Sequence, residues 1–88
     1  MTSPQIRILL VEDSPTQATV CSMLLQEAGY EVLEATTAEQ SLEILENSQV
    51  QLLLTDLTLP GMTGIELCRR VRSHPLTKSL PIVVLTGS

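Results

Sequence analysis

The chain has 88 residues, 43% of them hydrophobic, with a single aromatic (Tyr30) and ten acidic against five basic side chains, a net charge of −5. That length allows one domain with a small aliphatic core, and the acidic balance excludes a chain that grips nucleic acid or an anionic membrane by itself. Its apolar runs of four or five residues are too short to span a membrane, and no basic-then-apolar leader opens the sequence, so the expected location is the cytoplasm.

The first predicted element is a strand at about 6–11, Ile-Arg-Ile-Leu-Leu-Val, closed by Glu12 and Asp13. Ser14 and Pro15 form an N-cap and a first helical residue. A helix over about 15–28 follows, with Val20, Cys21, Leu24, Leu25 and Ala28 as its expected buried stripe and Gly29 as its stop. A second strand is read at 31–35. Thr37 and Gln40 have the spacing of a capping box for a helix over 38–47, with an apolar face of Ala38, Leu42 and Leu45.

The third strand, about 50–55, runs Val-Gln-Leu-Leu-Leu-Thr and is closed by Asp56. The segment Leu57 to Gly64 holds Pro60-Gly61, the signature of a tight turn. A third helix over about 64–74 is expected to bury Ile65, Cys68 and Val71 and to stop before Pro75. A fourth strand is read at 81–85, followed by Thr86 and Gly87. Cys21 and Cys68 stand apart and read as reduced thiols, and Arg69, Arg70, Arg72 and His74 read as a solvated surface.

The alternation βαβαβαβ with uniformly apolar strands predicts an α/β fold, a parallel sheet with helices on both faces. In the commonest small arrangement, flavodoxin-like with strand order 2-1-3-4, strands one and three are neighbours. Their ends then bring Glu12, Asp13 and Asp56 into one cleft, where ligands of such sheets bind. At ~5 Å and an effective dielectric of ~20, each carboxylate pair repels by roughly 3 kcal/mol. A hard cation, best magnesium, would relieve that repulsion and screen an incoming phosphoryl group. Asp56 is the expected nucleophile, forming an acyl phosphate; the Thr86 hydroxyl could hydrogen-bond the phosphoryl oxygens, and the Thr58 carbonyl could face the metal. Gly87 would allow close backbone approach. Taken singly, these residues also fit a plain capping and turn role.

With Glu12-Asp13, Asp56, the Leu-Pro-Gly-Met-Thr-Gly segment and Val-Val-Leu-Thr-Gly-Ser in place, the whole chain resembles the receiver domain of bacterial two-component response regulators. The resemblance implies that Asp56 accepts a phosphoryl group from a histidine kinase or phosphotransfer protein. It implies that Glu12, Asp13, Asp56 and the Thr58 carbonyl hold magnesium, and that Thr86 moves toward the phosphoryl group as a switch. Helix one and the loop after Asp56 are the implied kinase-facing surfaces.

Against that family, residues 1–88 read as a partial receiver domain lacking the fourth helix, the fifth strand with its lysine, and the fifth helix. Lys78 lies before strand four and should not substitute. The expected consequence is an open sheet edge, low stability and a possible homo-oligomeric or domain-swapped assembly. The main alternative function is a phospho-independent adaptor. A small-molecule phosphatase fits less well, because Thr58 stands where a second aspartate would be needed.

Overall fold

The computed structural model describes residues 5–85. Its elements follow the order β1 (Arg7–Val11), α1 (Pro15–Glu27), β2 (Glu31–Ala35), α2 (Ala38–Asn47), β3 (Leu52–Asp56), α3 (Gly64–Ser73) and β4 (Ile82–Leu85). The four strands form one parallel, flavodoxin-like sheet in the order β2-β1-β3-β4. Each β-to-β connection is a helix, as parallel pairing demands.

Alternation along β1 divides the core. Leu9 and Val11 join Leu53, Leu59, Leu67 and Val71 beneath α2 and α3, while Ile8, Leu10 and Leu54 face the α1 side with Cys21 and Leu25. β1 is central and nearly fully buried, which explains its unbroken apolar run.

Local chemistry sets the helix starts. Ser14 Oγ, Thr37 Oγ1 and Thr63 Oγ1 accept the N–H groups of Gln17, Gln40 and Glu66 at 3.4, 3.1 and 3.1 Å. In the predicted capping box, Gln40 Oε1 reaches back to the Thr36 N–H at 2.7 Å, one residue before the cap. After α1, Gly29 adopts φ 98°, a left-handed geometry that favours glycine. Arg72 leaves the expected solvated face: its Nη1 donates to the carbonyls of Lys78 and Leu80 at 3.2 and 2.6 Å, clasping the connection into β4.

The expected buried stripes of α1 and α3 need correction. In α1 the buried residues are Ala18 and Ser22; Cys21 and Leu25 are half-buried, Val20 and Leu24 are 53% and 62% exposed, and Ala28 is exposed. Ala18 and Ser22 are the buried side of the helix, and Val20 and Leu24 lie beside Leu85 of β4. Exposed Val83 and Leu85 lie on that strand. In α3 the buried residues are Gly64, Leu67 and Val71, whereas Ile65 is 49% exposed. Gly64 presses on the chain at the end of β3, and this contact sets the roll of the helix. β3 also begins at Leu52 instead of position 50; Val50 precedes the strand and packs against the core from there.

Candidate functional site

The register of β1 against β3 pairs Val11 with Thr55, so the residues that follow, Glu12 and Asp56, come side by side at the carboxyl end of the sheet. β4 closes the other flank, with Leu85 opposite Asp56 and the Leu57 N–H donating to the Leu85 carbonyl at 3.0 Å. Glu12 continues the ladder through its N–H to the Ala35 carbonyl at 3.0 Å. All four strands therefore fix the backbone beneath two carboxylates, and Asp13 stands one residue further, just before the Ser14 cap.

One carboxylate oxygen from each of Glu12, Asp13 and Asp56 lies within 4.8 Å of the others. Their environments differ: Glu12 is only 5% exposed, Asp56 half-buried and Asp13 exposed. Glu12 Oε1 is buried and has no hydrogen-bond partner among the described residues. Burial first, then the neighbouring Asp56 carboxylate, pushes the Glu12 carboxyl above its ordinary value of 4.5; a backbone hydrogen bond from Ser14 acts the other way. A buried acceptor without a donor costs free energy, and two carboxylates beside it raise that cost. The residues fit a hard divalent cation, since every side-chain donor is an oxygen and one awaits a partner.

The three carboxylates that the sequence placed in one cleft lie together in the structure. Thr58 is exposed at the start of the loop after Asp56. Thr86 and Gly87 lie outside the described residues. Lys78 lies in the α3–β4 connection, at the end of the sheet away from the carboxylates, as its place before strand four implied.

Two features of the site escaped the sequence. Gly61 carries the positive φ of the turn, 77°, whereas Gly64 serves close approach. A Cβ at Gly64 would fall inside van der Waals contact of the Asp56 carbonyl oxygen and lie 3.1 and 3.2 Å from Leu57 Cα and O. The Gly64 N–H also donates to the Leu57 carbonyl at 2.7 Å. The second feature is a groove of about 430 Å³ beside Glu12 and Asp56, walled by Thr16, Val20, Cys21, Leu24 and Leu85. Burial there, and then Glu12, raise the Cys21 thiol above its ordinary value. Exposed leucine and valine at helical spacing were the available signal for the groove, and they read equally well as core.

The response regulator receiver domain family matches this chain over residues 8–88. The chain belongs to that family. Among relatives of this receiver domain, the phosphate regulon transcriptional regulatory protein PhoB of Pseudomonas aeruginosa is 39% identical over 80 residues, 91% of this chain and 35% of PhoB. The chain therefore spans about a third of that relative.

Among solved structures, the chemotaxis response regulator CheY4 of Vibrio cholerae superposes with a TM-score of 0.91 at 32% identity, covering 97% of this chain and 71% of CheY4. The receiver domain of a sensor histidine kinase from Pseudomonas aeruginosa PAO1 gives 0.90 at 30% identity, covering 97% and 70%. That structure holds a magnesium ion coordinated in its active-site cleft. Like them, this chain is a receiver domain of two-component systems. Among its described residues no helix is long and apolar enough to cross a membrane.

Proposed function

We propose that residues 1–88 act as one receiver unit that takes a phosphoryl group onto Asp56 from a phosphohistidine of a histidine kinase or phosphotransfer protein. An Asp56 carboxylate oxygen attacks phosphorus, the P–N bond to the donor imidazole breaks, and an acyl phosphate forms on Asp56 while the departing imidazole nitrogen takes a proton from water. Magnesium, when bound, supplies charge neutralisation around the transferring group. Glu12, Asp13, Asp56 and the Thr58 carbonyl would hold it.

The chain's own residues do the aligning. β3 and the Gly64 contact fix the Asp56 backbone, and burial keeps Glu12 from turning to solvent. Thr86 is the hydroxyl that hydrogen-bonds the phosphoryl oxygens and moves with phosphorylation. The product is a signalling state read by a partner, so the domain is a switch and not a turnover enzyme. Its place is the cytoplasm, where such donors are found.

The observation that carries this reading is the convergence of three carboxylates around a buried, unpartnered Glu12 oxygen. Intact mass after incubation with a small acyl phosphate tests it. A single phosphoryl adduct should form with magnesium, vanish with a chelator and be absent from Asp56→Asn. An adduct that persists in Asp56→Asn would refute the assignment of Asp56, and no adduct with any donor would leave the adaptor reading.

A further inference from the structure

We infer that Thr55 is a positioning residue for phosphoryl transfer: its hydroxyl holds the peptide unit that leaves Asp56 and so fixes the loop carrying Thr58 relative to the Asp56 carboxylate. The inference rests on the reading of Asp56 as the phosphoacceptor.

Thr55 is the one polar residue ahead of Asp56 in β3, and it is fully buried, 0% exposed. The three residues before it are leucines, and a valine would fill its space without the cost of taking a hydroxyl out of water. That hydroxyl donates to the Asp56 carbonyl oxygen at 3.0 Å. The Leu57 N–H, the other polar end of the same peptide unit, donates to the Leu85 carbonyl at 3.0 Å. A peptide unit is planar, so holding both ends leaves little freedom in ψ of Asp56 or φ of Leu57.

The sheet makes Thr55 a firm anchor and leaves Asp56 in need of one. Thr55 is paired on both sides, with Val11 of β1 and Val84 of β4; the β1 ladder ends there, and Asp56 keeps a register partner only in Leu85. By strand alternation Thr55 lies on the face of Leu53, the α2 and α3 side, where Gly64 closes on the same Asp56 carbonyl oxygen. Hydroxyl and glycine therefore act on one atom: Gly64 leaves it room, and Thr55 sets its direction. Were that carbonyl free to turn, ψ of Asp56 would change and the Thr58 carbonyl would swing relative to the carboxylate it is to share a metal with.

Two variants separate the hydroxyl from its packing. Thr55→Val keeps the shape and removes the donor; Thr55→Ser keeps the donor and removes a methyl group. In calorimetric titration magnesium should bind Thr55→Val about fivefold more weakly than the parent, and the adduct from a small acyl phosphate should form more slowly by a similar factor. Thr55→Ser should recover both to within about twofold of the parent although its urea midpoint falls, because a buried methyl group is lost. Without metal, amide hydrogen exchange in Thr55→Val should speed up at Leu57 and Gly64 beyond any change at Leu53, whose N–H donates to the Pro81 carbonyl. Parental affinity and rate in Thr55→Val overturn the inference, and so does exchange at Leu57 and Gly64 that changes no more than at Leu53. Thr55→Ser falling as far as Thr55→Val also overturns it, since packing alone would then account for both. A parent chain that takes no phosphoryl group in the same assay overturns the reading of Asp56, and this inference with it.

Discussion

Replacing Gly64 by alanine adds one methyl group where the backbone at the end of β3 leaves no room. The new Cβ would meet only main-chain atoms, the Asp56 carbonyl oxygen and Leu57 Cα and O, so no rotamer change can relieve it. The start of α3 must move by a few tenths of an ångström or more, and the 2.7 Å bond from the Gly64 N–H to the Leu57 carbonyl stretches with it. Overpacking of this kind costs about 1–3 kcal/mol. The weakened hydrogen bond adds up to ~1 kcal/mol. Lower entropy of the unfolded chain returns roughly 0.4–1 kcal/mol.

The net expectation is a loss of ~1–3 kcal/mol, and each kilocalorie lowers the melting temperature of a domain this size by about 4–8 °C. The contact also bears on Asp56 itself, so magnesium affinity should fall in the same variant. Gly29→Ala is the matched control. Gly29 has φ 98° and open space around its α-carbon, so alanine costs about 1–2 kcal/mol of backbone strain far from the site. Urea unfolding and magnesium titration of both variants check the reasoning. Stability of Gly64→Ala within ~0.5 kcal/mol of the parent, or an equal loss of magnesium affinity in Gly29→Ala, would refute it.

Other outcomes follow from the same contacts. Glu12→Gln should stabilise the metal-free chain at neutral pH: the native carboxyl is raised above 4.5, so its favourable contribution is fully present below that value and is lost as pH rises through the native pKa. The difference in urea midpoint between parent and variant, followed from acid to neutral pH, should widen in that direction. Magnesium should stabilise the parent by ~2.7 kcal/mol at a hundred times its dissociation constant and stabilise Asp56→Asn much less, which thermal melts with and without chelator would measure. Leu67→Ala should cost about 2–5 kcal/mol and Ile65→Ala under ~1 kcal/mol, the reverse of the sequence expectation; urea midpoints decide between them. Thr63→Ala removes the cap on the Glu66 N–H and should lower stability by ~1 kcal/mol in the same assay.

Much of the fold was written locally. Apolar runs bounded by Glu12-Asp13 and by Asp56 mark strands buried on both faces, and Ser14-Pro15, Thr37 and Gly29 mark helix ends, because caps and left-handed turns depend on a few neighbouring residues. The rule that ligands bind past the strand ends then singles out three carboxylates from the sequence alone. Tertiary structure decided what local pattern leaves open. The pairing of Val11 with Thr55 is a register, a property of two segments more than forty residues apart, and it alone makes Glu12 and Asp56 neighbours. It also separates adjacent acids, burying Glu12 while Asp13 faces water. The roll of α3 could not be read from a stripe in which Ile65, Leu67, Cys68 and Val71 are all apolar. Packing chose Leu67, because the contact of Gly64 with the Asp56 and Leu57 backbone fixes the helix at its first residue.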